Sequence, residues 1–180
     1  MSLKKDFECG LVRLKDARAF IAAHHYAGGS SCFTALTVGL FRKSDGDLLG
    51  VAHWLPPARG VCVHFDQPAG GMLALSRLAI HPDVPKNGAS YLIGWCIRHI
   101  KRNKPAIKML VTYADQGQGH TGQIYRATNW TYDGLTKPAW RWVRDGVMRS
   151  SLAHSVAEMK RRGFRKVGPF RKHRFYMEVR

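Results

Sequence analysis

The sequence predicts a mixed α/β (α+β) domain, and three observations carry that prediction. Residues 72–130 read as a strand–helix–strand–helix series, two strand candidates joined by a polar turn precede it, and a basic stretch follows it. A β-α-β-α series implies a parallel strand pair with a crossover helix. The hairpin ahead of it argues against a purely doubly wound sheet. A length of 180 residues fits one domain spanning 1–180.

Each element has its own signal. Residues 14–25 (LKDARAFIAAHH) place Leu14, Phe20 and Ile21 at helical spacing, and Ala27–Ser31 with its paired glycines ends the helix. Residues 34–41 and 48–54 read as strands around the turn Ser44–Asp47. Residues 55–71 carry proline and glycine and predict a loop with a short strand at 61–65. Met72–Ile80 is an apolar strand candidate closed by His81–Pro85. Residues 88–102 form an amphipathic helix whose Arg98, Lys101 and Arg102 suit the negative end of its dipole. A strand at 107–113, a helix at 119–130 and a turn at Asp133-Gly134 follow. Farther on, a helix is expected at 150–162, stopped by Gly163, and a final strand at 173–179.

Composition narrows the partners. Lys and Arg number 29 against 12 Asp and Glu, a formal net charge of +17 that attracts polyanions, nucleic acid above all. From Lys137 onward there are 13 Lys/Arg against three acidic residues, so the excess is concentrated in a basic C-terminal extension at 137–180. Within it Trp140 and Trp142 alternate with Arg141 and Arg144, an interleaving suited to nucleic acid. The competing reading of that stretch is a strand with one buried Trp. With Lys137, Arg171 and Lys172 these residues form the expected DNA-contacting set. No apolar run approaches the ~18 residues of a membrane span. The first ten residues lack a signal peptide's apolar stretch, so a cytoplasmic location is expected. Cys9, Cys32, Cys62 and Cys96 are widely spaced with no CxxC pair, which predicts reduced, buried thiols rather than a zinc site.

The central series resembles the GNAT-like acyltransferase superfamily. Lys86-Asn87-Gly88-Ala89-Ser90 falls where that fold turns free amides and a helix dipole toward a pyrophosphate. Ile124–Trp130 is similar to its Leu-Tyr-Glu-Lys-Leu-Gly-Phe helix ending, with Asn129 in place of the glycine. The phosphate loop departs from the usual Arg/Gln-x-x-Gly-x-Gly/Ala pattern in either register, which weakens the inference to coenzyme A. More narrowly, Leu75–Leu78, Pro85–Ser90, Thr112–Asp115 and Gly119–Tyr125, in that order, with the earlier His24-His25-Tyr26, resemble the phage Mu-type Mom proteins over roughly residues 20–135. That resemblance implies an enzyme that acts on double-stranded DNA. It would convert the N6 amine of adenine to an N6-carbamoylmethyl group and so mask phage DNA from restriction. The donor stays open between acetyl-coenzyme A and an activated glycine such as glycyl-tRNA, and a metal requirement and the oligomeric state stay open too.

Six residues form the expected catalytic set, each with a competing structural role. Arg77, a charge in an apolar strand, is either a donor anchor or the partner of a structural carboxylate. Ser90 is a donor-polarising hydroxyl or a first-turn hydrogen-bonding residue. Asp115 stands at the C-terminal end of a strand, where sites in α/β sheets gather, and is a general base, a holder of His25, or a turn cap. Tyr125 would assist a leaving group or pack its ring. His25 with Tyr26 would stack on or orient an extruded base, while His24 points elsewhere. Arg77, Lys86, Asn87, Gly88, Ala89, Ser90 and Tyr125 are the expected donor-binding residues. A metal held by His25, Asp115 and His120 has no short ligand spacing behind it. The two competing functions are acetylation of a protein or small-molecule amine, and DNA binding without catalysis.

Overall fold

A computed structural model describes residues 3–149 and 155–179. After a short helix α1 (Leu3–Asp6), strand β1 (Phe7–Leu11) and helix α2 (Leu14–His24), the hairpin β2 (Leu36–Arg42) and β3 (Leu48–Leu55) leads to helix α3 (Arg59–His64) and strand β4 (Met72–Ile80). Helix α4 (Gly88–Asn103) crosses over to β5 (Met109–Asp115). A 3-10 turn at Gln116–Gln118 and the short helix α5 (Gln123–Arg126) lead to β6 (Thr131–Leu135). Then come β7 (Ala139–Arg144), β8 (Val147–Arg149), α6 (Val156–Arg161), β9 (Arg165–Phe170) and β10 (Lys172–Glu178).

The main sheet runs β1-β2-β3-β4-β5-β10-β6, and β4–β5 is its parallel pair. A parallel neighbour needs a long crossover, which α4 supplies. Its residues Leu92, Ile93, Cys96 and Ile100 fall on one helical face and share a buried core with Val38, Trp54, Leu73 and Leu110 of the central strands. On the opposite face Ala17, Phe20 and Ile21 of α2 cover Val51 and Ala79. A second sheet, β8-β7-β9, lies in the excursion between β6 and β10, with Trp142, Met159 and Phe164 as its core.

Four expectations are corrected. Residues 59–64 are helical, not a strand, because Pro56 and Pro57 end β3 and the chain restarts behind a residue with extended backbone, Ala58. The helix expected at 119–130 shrinks to Gln123–Arg126, since Gly119 and Gly122 both adopt left-handed backbone. The helix expected at 150–162 is α6 from Val156, and its residues 150–154 lie outside the described ones. Of the four thiols, Cys62 and Cys96 are buried, Cys9 is half-buried and Cys32 is exposed. Asn129 does take the left-handed conformation that its place at a helix end requires, at φ 63°.

Candidate active site

The site begins with a divergence of two strands. β4 and β5 pair from Met72↔Met109 to Leu75↔Thr112 and then separate. Beyond that point β4 stays with β3 and β5 with β10. An extra residue in β4 at Ser76, opposite the His53/Trp54 step, helps turn the strand away. A cavity of about 360 Å³ occupies the gap. Its walls are Leu75, Ser76 and Leu78 of β4, Tyr113 and Ala114 of β5, His25 and Tyr26 after α2, and the segment Gly119–Tyr125.

Asp115, 3% exposed, sits at the C-terminal end of β5. Its Oδ1 accepts the backbone N–H of Gly117 at 2.9 Å, so it does cap the turn. Its Oδ2 lies 2.6 Å from Arg141 Nη2 and accepts the Tyr26 hydroxyl at 3.5 Å. Asp115 therefore holds Tyr26 rather than His25. Tyr26 is 42% exposed as a residue, but desolvation at its hydroxyl end, and then the nearby Asp115 carboxylate, raise its phenol above the usual range. The Lys172 ammonium, opposite Asp115 in the β5–β10 register, is pushed down by desolvation and by Arg141 and Arg77 despite the pull of Asp115.

His25 stacks on Tyr26 at 4.3 Å, and Tyr26 meets the His120 ring edge-on at 5.5 Å. His24 points away onto Phe20 and His81. Burial, then repulsion by Arg77 and His120, lowers the His25 imidazole to about 4. Tyr125 lines the cavity with its ring between Trp130 and Phe175, and burial raises its phenol. Tyr125 thus packs its ring, as its structural role had it, and also lines the cavity.

Arg77 does not line the cavity, and no carboxylate among the described residues lies within ion-pair distance of it. It donates to Gly29 O at 2.9 Å and Ser76 O at 2.7 Å, pinning the loop after Tyr26 to the sheet. Ser90 donates to Asn87 O at 2.8 Å and lies outside the cavity wall, so its hydroxyl is spent on the first turn of α4. Asn87 is left-handed at φ 78°, Lys86 is exposed, and the opening amides of a 16-residue helix have no intrahelical partner. Gly88 is required there, because a Cβ would come within 2.1 Å of Val84. Among the described residues no group of three His, Cys, Asp or Glu is placed to hold a metal ion.

The expected DNA-contacting residues divide. Trp142 is 2% exposed in the small core and is removed from that set by its burial. Arg141, 13% exposed, turns inward to Asp115 and stacks on Phe170. Trp140, 48% exposed, carries Lys166 Nζ 4.6 Å above its ring. Lys137, Arg144 and Arg171 stay at the surface, Arg144 lying over Phe164, and Lys172 is exposed as a residue although its ammonium is desolvated beside Asp115 and Arg141. Arg141 and His120 are the site residues that spacing alone left out of the catalytic set. The buried-Trp alternation at 140–142 held the signal for Arg141, since it turns 141 toward the opposite face from Trp142.

Solved GNAT-fold enzymes superpose on nearly the whole chain. An agmatine N-acetyltransferase, solved as a mutant in its apo form, matches at a TM-score of 0.62 and 11% identity, covering 97% of this chain and 100% of that one. The Drosophila melanogaster polyamine N-acetyltransferase matches at 0.61 and 11%, with the same coverage. At such identity the likeness establishes the fold, which is GNAT-like. In sequence, the chain is 31% identical over 121 residues to the methylcarbamoylase Mom of Escherichia phage Mu. That alignment covers 66% of this chain and 49% of the phage protein, so the chain spans about half the length of this relative. The Mom protein family model matches residues 6–178, nearly end to end, and the chain belongs to the Mom protein family.

Proposed function

We propose that this protein is a transferase that modifies the N6 amine of adenine in double-stranded DNA, adding a carbamoylmethyl group. The observation that carries the reading is the junction at Asp115. One carboxylate joins the cavity, through Tyr26, to the basic second sheet, through Arg141. A +17 chain with exposed Lys137, Lys166 and Arg171 beside that sheet is suited to tracking phosphates without reading sequence. Membership in the Mom family and the name of the phage Mu relative support the choice of adenine and of the added group.

The target base must leave the stack, because N6 cannot reach a cavity inside the protein from within a duplex. Its lone pair is delocalised into the ring, so positioning and polar groups have to supply the rate. Tyr26 lies between cavity and carboxylate, and the pair Tyr26–Asp115 is the route by which N6 loses its proton. Arg141 keeps Asp115 oriented. Tyr125, which also lines the cavity, is the group that would donate to a leaving group.

The donor is an extended molecule with an activated acyl end. With an activated glycine such as glycyl-tRNA, N6 attacks the acyl carbon, the ester oxygen leaves with the proton, and the resulting N6-glycyl amide is an isomer of the N6-carbamoylmethyl group, reached by rearrangement. Acetyl-coenzyme A would release its thiol and leave an N6-acetyl amide, so that donor requires further steps that add nitrogen. The fit rests on two features. The side of β4 facing the gap beyond Leu75 has no neighbouring strand, and its backbone groups suit an extended amide-bearing chain laid alongside. Lys86 and the opening amides of α4 beyond Gly88, whose own N–H is bonded to Pro85 O, suit its phosphates.

The test is mass spectrometry of nucleosides from cells expressing the chain, beside cells expressing Asp115→Ala and Tyr26→Phe. A heavier deoxyadenosine, with the mass of the added carbamoylmethyl group and absent from the Asp115→Ala cells, is expected. Unchanged nucleosides from folded protein, together with acetyl-coenzyme A turnover on a free amine, would replace this reading with ordinary N-acetylation.

A further inference from the structure

His25 is locked into one tautomer. Its Nδ1 accepts the backbone N–H of Ala27 at 3.1 Å. A neutral imidazole has one donor and one acceptor nitrogen, so an Nδ1 that accepts leaves the proton on Nε2. The ring stays neutral at physiological pH, since burial and the flanking Arg77 and His120 hold its titration near pH 4. With Nδ1 turned to the loop backbone, the opposite edge of the ring, which bears Nε2–H, is directed away from that loop. His25 is part of the cavity wall, backed by the stacked Tyr26 ring. Every other titratable side chain facing it is accounted for. Arg77 is bound to Gly29 O, Tyr26 to Asp115, and His120 meets the Tyr26 ring.

We infer that His25 is a specificity-determining residue, donating Nε2–H to N1 of adenine, the ring acceptor that flanks the amine being modified on its pairing edge. The inference rests on the adenine reading above and deepens it. Adenine flanks its amine with two lone-pair acceptors, N1 and N7. Guanine keeps an acceptor at N7 but carries a hydrogen at N1 and no amine at C6, so a fixed donor aimed at N1 is accepted by adenine and meets another donor in guanine. Cytosine does pair an amine with a ring acceptor, but its single ring offers less surface to the His25–Tyr26 stack. A fixed donor that a seated base shuts off from water penalises the base that cannot accept it, because the donor is then left unpaired. A neutral Nε2–H is also unable to take the amine's proton, which leaves that step to the Tyr26–Asp115 pair.

The experiment is a cycle between enzyme and substrate. Duplex oligonucleotides carrying adenine, 1-deazaadenine or 7-deazaadenine at the mapped target position are reacted with wild type, His25→Phe and His25→Gln. Product is read by nucleoside mass, and folding is checked by melting. In wild type, 1-deazaadenine is expected to react about 10–100-fold slower than adenine, and 7-deazaadenine about as fast as adenine. In His25→Phe, adenine slows by a similar factor and the 1-deaza substitution costs nothing further. His25→Gln, which keeps a donor, recovers part of the rate on adenine only. Equal rates on all three bases in wild type, a penalty at 7-deazaadenine alone, or an unchanged 1-deaza penalty in His25→Phe, would overturn the assignment while leaving adenine modification intact. If wild type modifies no adenine, the functional reading falls and this one with it.

Discussion

Asp115 carries more bonds than a lone catalytic carboxylate would. The Gly117 amide, the Arg141 guanidinium and the Tyr26 hydroxyl all converge on it. Asp115→Asn keeps the shape but turns an amide toward one of these donors. Adenine modification is expected to drop about 10²–10⁴-fold. Leaving the mostly buried Arg141 without its carboxylate should cost about 3–5 kcal/mol of stability, read by denaturant melts. The double variant Asp115→Asn/Arg141→Met should regain stability but not activity. His25 makes a separate prediction about acid. Its folded value of about 4 lies below the ordinary 6.5, so between those values the unfolded chain binds a proton that the folded chain does not. Stability supplied by the neutral ring is therefore full above pH 6.5 and is lost as pH falls toward 4. Melting temperatures of wild type should decline through that window more steeply than those of His25→Phe, and the His25 ring resonances should titrate near pH 4.

At the level of elements, two approaches too close for a side chain shape the cavity. Gly122 is left-handed at φ 78°, and a Cβ on it would lie 2.2 Å from the Phe175 ring. Gly122→Ala should cost at least about 1–3 kcal/mol and disturb the wall from Gly122 to Tyr125, seen as a lower melting temperature and weaker donor binding. Gly117 lets the Phe170 ring, at the end of β9, approach a Cβ position within 2.9 Å, and this contact docks the second sheet on the end of β5 beside the Arg141–Asp115 pair. The docking makes the small sheet's own core a condition for the site. Trp142→Ala should destabilise by about 3–5 kcal/mol. It should also reduce modification, although Trp142 lines no part of the cavity, and Trp142→Phe should restore most of both.

Across the whole molecule, positive charge governs how the protein meets a polyanion. Neutralising phosphates releases condensed counterions, so binding to duplex DNA should weaken linearly in log–log salt plots, with a slope of about −0.9 per phosphate contacted. Replacing exposed Lys137, Lys166 and Arg171 together with Ser should flatten that slope by about 3 if each touches a phosphate, with little change in melting temperature. An unchanged slope would move the DNA surface off the second sheet.

Strand Met72–Ile80, helix α4, the hairpin and the final strand were legible because their apolar periods repeat along the chain, and local patterns of that kind need no knowledge of distant partners. The charge and the ordered run of motifs reached as far as the GNAT-like fold and the Mom family. The membership of the site was less legible. Ser90 and Asp115 stood out equally in the sequence, yet one spends its hydroxyl on its own helix turn and the other gathers Tyr26 and Arg141. Tyr26 and Asp115 are 89 residues apart and Arg141 another 26, and separations of that size are closed only by strand order and by the docking of one sheet on another. The cavity has the same origin. It exists because β4 and β5 part after Leu75 and Thr112, and that divergence is a property of how neighbouring strands compete for hydrogen bonds, written in no single segment of the chain.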